Sequence, residues 1–287
     1  MELLKDVILD TCLDCIKMLP FLFAAFLVIE ALEHYSGDFT RRALAKVKKA
    51  GPVVGALAGC IPQCGFSVMA ANLYAGGILS PGTLISVFIA TSDEAVLIIM
   101  SNPEEADKVG ILLLVKVVLA IGAGYFTDIF LRGKIEAEKS SDELCRHCGC
   151  HDEKAGILLP AWRHTWKIFV YLFVFTAILN VCIEALGVER LSAVLLGDTI
   201  FQPVIAAVIG FIPNCAASVI LTQLYLNGAI SFSSVIAGLS AGTGVGLVVL
   251  FKVNSNKNEN RKLAGLLFVY AIMAGILLGY MGNFLTF

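Results

Sequence analysis

The chain has 287 residues, of which 58% are hydrophobic and 15% charged, with a formal net charge of −2. A soluble domain carries about 25% charged residues, and the mean hydropathy here is +0.84. These figures exclude an ordinary soluble domain and predict an integral membrane protein whose partner is the lipid bilayer, with no role for nucleic acid. Nine cysteines do not read as a disulfide framework: some lie in apolar segments, and three crowd one polar loop.

The first predicted span covers 15–32, entered through Cys12 and Cys15 and lacking a signal-peptide cleavage pattern. The next loop carries Arg41, Arg42, Lys46, Lys48 and Lys49, which places it in the cytoplasm by the positive-inside rule. An interrupted apolar stretch over 53–77 follows, broken at Gly59-Cys60-Ile61-Pro62-Gln63-Cys64-Gly65. Residues 81–100 read as one continuous apolar helix containing Asp93 and Glu94. An acidic loop around Glu104 and Glu105 leads to a span over 109–130 that contains Lys116. The polar loop 132–154 holds Cys145, His147, Cys148, Cys150 and His151. After an interfacial start at Trp162 and Trp166 come a span over 168–186 and a second interrupted stretch over 201–228. A continuous span over 231–251, a basic loop over 252–262 and a last span over 263–285 complete the chain.

The two interrupted stretches align without a gap. Pro62 pairs with Pro213, Cys64 with Cys215, Ser67 with Ser218, Asn72 with Gln223 and Tyr74 with Tyr225. Glu30 and Glu184 close the first spans of the two halves, and Gly124-Tyr125 is loosely echoed by Gly279-Tyr280. If each interrupted stretch enters and returns on one side, each half has three spans and all three basic loops become cytoplasmic. An odd span count inverts the second half. The expected fold is therefore an all-α membrane protein, an inverted repeat of two halves, each with three transmembrane helices and one re-entrant helical hairpin. The expected units are 1–131, a cytoplasmic loop 132–158, and 159–287.

Interrupted apolar segments at matching places in two halves point to a transporter's binding site. Cys64 and Cys215 follow the helix-breaking prolines and suit soft ions as thiolates, or else fill space as small hydrophobes. Ser67 and Ser218 are candidates to cap helices or to contact substrate, and Asn72 and Gln223 to place amides in the cavity. Asp93 and Glu94 are costly at mid-helix, by roughly 2.5–3.5 kcal/mol for a carboxylate, and read as cation ligands or proton carriers. Lys116 is the expected neutralising partner; Glu30 and Glu184 are further coupling candidates. Cys145, His147, Cys148, Cys150 and His151 offer thiolate and imidazole to Zn or another soft divalent ion. No P-loop pattern is present in the sequence, so the energy source is an ion gradient or a partner ATPase.

At the paired Gly-x-Ile-Pro-x-Cys motifs, with Ser80-Pro81-Gly82 and Phe88-Ile89-Ala90-Thr91-Ser92-Asp93-Glu94 behind the first, the chain resembles the bacterial ten-helix heavy-metal exporters. These are relatives of the arsenical permeases, also described as arsenic efflux or manganese transporters. The resemblance implies export of a metal or metalloid ion across the cytoplasmic membrane of a prokaryote by a multi-pass carrier, not an enzyme; a homodimer is compatible with it. The organoarsenical permeases carry Cys-Ser-Cys after the proline, whereas here Cys64 alone follows Pro62, with Cys60 before it. Two other readings compete: an organic-anion or lipid carrier of the same architecture, and an intramembrane thiol-disulfide oxidoreductase using Cys12, Cys15, Cys60 and Cys64.

Overall fold

A computed structural model describes residues 50–63, 65–101, 105, 107–135, 158–186 and 201–282, together with 16, 19, 20, 22–24, 26 and 27. No strand occurs among the described residues. The helices are α1 (Ala50–Gly59), α2 (Gly65–Ala75), α3 (Pro81–Ala90), α4 (Asp93–Met100), α5 (Asp107–Ile135), α6 (Leu158–Leu186), α7 (Gln202–Gly210), α8 (Cys215–Leu226), α9 (Phe232–Ala241), α10 (Gly246–Val253) and α11 (Lys257–Gly282).

The same local chemistry builds the two α1–α2 and α7–α8 hairpins. Pro62 and Pro213 have no amide hydrogen, so no helical ladder can run through them. At each tip the chain closes on itself around the proline: Gln63 N–H donates to Ile61 O at 2.7 Å, and Asn214 N–H to Ile212 O at 2.7 Å. Each returning helix ends on a left-handed glycine, Gly77 at φ 73° and Gly228 at φ 70°, which a side chain would strain. Ile78 N–H then reaches Leu73 O and Ala229 N–H reaches Leu224 O, the six-to-one closure of a Schellman motif. Ser80 and Ser231 start the next helices by accepting from Thr83 N–H and Ser234 N–H.

Beyond the hairpins, the continuous helices expected over 81–100 and 231–251 are each interrupted. In the first, Thr91 Oγ1 donates to Val87 O and Ser92 Oγ to Ala90 O. These hydroxyls compete with the helical ladder for backbone partners. In the second, Gly242 extends (ψ 105°) and Gly244 turns left-handed (φ 53°). A Thr-Ser pair and a Gly-Thr-Gly run inside apolar spans were the signals for these breaks.

The two halves are packed crosswise. α2 lies on α10, and α8 lies on α4, so each returning helix is seated on the distal piece of the other half's interrupted helix. Val68, Ala71 and Tyr74 share one core with Leu247–Leu250, while Ala217 and Leu221 share another with Ala95 and Ile99. α3 packs on α5, and α9 on α7 and α11. Close approach rests on small residues, as membrane helices require where burial from water supplies no force. A Cβ on Gly124 would meet Ser86, Gly82 and Pro52, and one on Gly275 would meet Ala237, Ser233 and Pro203. These two lists pair residue for residue in the Pro62–Pro213 register. Gly124 thus corresponds to Gly275, and the expected echo at Gly279 is displaced by one helical turn. The interrupted helices are mostly buried, at 76% and 89%, whereas the long spans in α5 and α11 are only 22% and 33% buried. That puts the interruptions at the centre and leaves Leu114, Val118, Ile129, Val269 and Leu277 facing outward.

Candidate functional site: a cleft where two interrupted helices cross

The two interruptions meet at one cleft. Its walls are Thr91 and Ser92 from the first break, Leu239, Gly242 and Gly244 from the second, and Asn214 and Ser218 from the α7–α8 tip. Gly210 and Gly238 form its floor and approach so closely that a Cβ on Gly210 would lie 2.0 Å from Gly238 O. The cleft encloses about 270 Å³ outside the atoms, mouth included, and narrows inside to about the room of one water. Helices α4 and α8 begin here, and α3, α7 and α9 end here. Asn214 caps α8 by accepting from Ala216 N–H at 3.0 Å, while Ser92 makes no capping bond to α4. The cleft therefore receives the positive ends of two helices and the negative ends of three.

Lys116 is fully buried beside it. Its Nζ donates to Thr91 O and, at 3.0 Å, to Leu239 O. The ammonium thus joins the proximal pieces of both interrupted helices through carbonyls at their C-terminal ends. An isolated buried charge would cost several kcal/mol; here helix-end carbonyls receive it.

The other expected site residues disperse. Ser67 is fully buried and shares a 3.1 Å hydrogen bond with Thr91 Oγ1, which ties α2 to the first break. Ser218 donates to Cys215 O at 2.7 Å, so it caps nothing and presents its oxygen at the cleft wall. Cys215 begins α8 and packs into the apolar core rather than lining the cleft. Asn72 is buried with its amide on Val68 O, and its Oδ1 has no partner among the described residues; Gln223 is exposed. Glu94 is half-buried, and Asp93 starts α4 two residues past Thr91, at the break itself. Cys64, Glu30 and the 145–151 cluster lie outside the described residues, as do the side chains of Asp93 and Glu184.

Three polar groups escaped the sequence reading: Glu259, Asp128 and Gln202. Tyr74 is buried and its hydroxyl donates to Glu259 Oε1 on α11, an inter-half contact. In the repeat register Tyr225 pairs with Tyr74 and Lys108 with Glu259; Lys108 Nζ stands 5.3 Å over the Tyr225 ring. One register position therefore holds an acid in one half and a base in the other. Asp128 accepts from Ser80 Oγ and Gly82 N–H, each at 2.8 Å. In the second half Gln202 does this work, accepting from Ser231 N–H and from the Ser231 and Ser234 hydroxyls. The register partners of Asp128 and Gln202 are Gly279 and Gly51, so each half anchors the start of its interrupted helix from a different neighbour. The carboxylate inside an apolar span was the available signal for Asp128.

Residues 3–189 and 168–286 match the family model described as "Putative, 10TM heavy-metal exporter". The chain belongs to this family. Neither the curated proteins nor the solved structures gave a match. For this heavy-metal exporter family member, the four helices long and apolar enough to cross a bilayer are those over 81–100, 107–131, 232–253 and 257–281 among the described residues. It is a multi-pass membrane protein, and two of those four spans carry the interruptions that frame the cleft.

Proposed function

We propose that this exporter family member is a secondary transporter that moves a metal or metalloid ion out of a prokaryotic cell across the cytoplasmic membrane. The site is the cleft where the interrupted helices cross, held near the bilayer midplane between two re-entrant hairpins and driven by an ion or proton gradient. One observation carries the reading: two apolar spans break at corresponding places and bring unwound backbone, hydroxyls and an amide to one narrow cleft. Non-helical backbone at membrane depth is tolerated only where protein or a polar cavity satisfies it. The matching hairpin tips, Schellman closures and crosswise packing support an inverted repeat of units 1–131 and 159–287, joined by the 132–158 loop. In this reading Asp93, Glu94, Ser67, Ser218 and Cys64 surround the substrate path, while Cys215 and Asn72 support its walls. Glu30 and Glu184 carry protons, and the 145–151 cluster senses Zn or a softer ion in the cytoplasm.

Hydroxyls and an amide line the described cleft, and these are hard-ligand types. They favour a hydroxylated metalloid acid or a hard metal ion over a bare thiophilic cation. A second reading has its own support: two helix N-termini and a nearby ammonium suit an organic anion. Uptake into everted vesicles separates the two. Arsenite, antimonite, Mn²⁺, Zn²⁺ and a set of organic anions are offered with and without a proton gradient. Gradient-dependent uptake of a metal or metalloid, lost in Ser92→Ala, is expected; uptake of organic anions alone would establish the second reading instead.

A further inference from the structure

We propose that the exposed face of α6 is a binding site for an anionic phospholipid. The lipid seats its phosphate between Arg163 and Lys167 and lays an acyl chain along the apolar stripe that continues from them. The site is remote from the cleft residues in sequence and does not rest on the transport reading.

Three observations converge. First, the face has the polarity of a lipid. Trp162, Arg163, Trp166, Lys167 and Val170 line a surface groove of about 540 Å³. Four-residue spacing sets Arg163 beside Lys167 in one row and Trp162 beside Trp166 in the next. The tryptophan row runs on through Val170, Val174 and Ile178, all exposed. Charge therefore caps one end of an apolar stripe of about four turns, which a free phosphate or an acidic peptide would leave uncovered. Second, the rings are fixed in place. Both tryptophans of the chain are here, stacked with centroids 6.4 Å apart; Trp166 also stacks on Phe169 at 5.6 Å, and Phe23 meets Trp162 edge-on at 6.0 Å. Indoles prefer the level of the headgroups, so their position marks where headgroup gives way to chain. Third, another helix adds a cation. Lys252, in the last turn of α10, stands 4.4 Å from the Tyr171 ring, one turn beyond Lys167. Arg163, Lys167 and Lys252 are all exposed, and none forms an ion pair with a described residue. The arginine fork matches phosphate oxygens, and in the inverted arrangement this end of α6 meets the cytoplasmic leaflet, whose anionic lipids attract such clusters.

Both tryptophans lie in the groove, so their fluorescence reads this site directly. The full-length protein is reconstituted in phosphatidylcholine vesicles, and part of the lipid is replaced stepwise by phosphatidylglycerol or phosphatidylcholine with brominated acyl chains, which quench indole on contact. In wild type, phosphatidylglycerol should be preferred over phosphatidylcholine by about fivefold or more, the factor that one basic residue contributes at an anionic surface. About 0.5 M salt should remove most of that preference, an arm that needs no variant. Arg163→Gln with Lys167→Gln should be quenched equally by the two lipids. Lys257→Gln with Arg261→Gln, exposed at the start of α11, should keep the wild-type preference, and soluble glycerol phosphate should not relieve the quenching. Equal binding of the two lipids by wild type overturns the proposal, as does a preference that survives high salt or persists in the α6 variant. An equal loss in the α11 variant would assign the preference to general surface charge, and relief by glycerol phosphate would leave a phosphate site without a lipid; either result also overturns it. Because lipid binding is read without substrate, failure here is distinguishable from failure of the vesicle uptake assay.

Discussion

At the scale of single residues, the two register-related tyrosines make different contacts and should respond differently to loss of the hydroxyl. Tyr74 uses its oxygen, donating to the buried Glu259 carboxylate. Tyr74→Phe removes a hydrogen bond to a carboxylate, which is worth about 1.5–3 kcal/mol. Tyr225 uses its ring, beneath the Lys108 ammonium, and Lys108 is also paired with Glu105 on the surface. Tyr225→Phe keeps a ring for the cation, and exposed contacts of this kind are worth about 0.5–1 kcal/mol, so its midpoint should stay close to wild type. Thermal unfolding of both variants in one detergent checks the contrast. Equal losses would mean that the hydroxyl of Tyr74 is not what binds α2 to α11.

At the scale of elements, close backbone approach decides where a methyl group is tolerated. Gly210 faces Gly238 O at 2.0 Å from an added Cβ, with backbone rather than a movable side chain in the way. Gly210→Ala should therefore push α7 off α9, widen or collapse the cleft floor, and cost about 1–3 kcal/mol as overpacking does. Gly122, on the outer side of α5, meets nothing within 4 Å, so Gly122→Ala should leave folding and transport unchanged. Yield of monodisperse protein together with vesicle uptake reads both. Normal uptake by Gly210→Ala would show that α7 and α9 have slack the packing does not reveal.

The whole molecule turns on whether its halves are inverted. Asp107 and Asn258 occupy the same register position and are both exposed, at the starts of α5 and α11. An inverted repeat sends them to opposite faces of the membrane, whereas two parallel halves would put them on one face. Single cysteines introduced at each, in a background stripped of native cysteines, should label differently with an impermeant maleimide applied to intact cells. Asp107→Cys should react from outside, and Asn258→Cys only after the membrane is opened. Labelling of both from one side would overturn the inverted arrangement, and with it the units 1–131 and 159–287. The crosswise seating of α2 on α10 and α8 on α4 ties each hairpin to a piece of the other half.

What could be read from the residues alone was whatever the local backbone decides. Low charge and long apolar runs set the membrane class. Pro62 and Pro213 dictated the hairpin tips because they lack an amide hydrogen, and the register between the halves placed Ser67, Ser218 and the two tyrosines in corresponding positions. The interruptions at Thr91–Ser92 and 242–245 were missed, because hydroxyls and glycines are tolerated in a straight membrane helix and both spans read as continuous. The fold settles this by supplying partners from elsewhere: Ser67 for Thr91 Oγ1, and Lys116 for carbonyls at both helix ends. Tertiary packing also brought the Lys116 ammonium onto helix-end carbonyls and joined Tyr74 to Glu259 across the two halves. Contacts between groups so distant in sequence leave no periodicity or spacing to read. They exist only because the halves pack crosswise, and that packing is a property of the assembled helices rather than of any one segment.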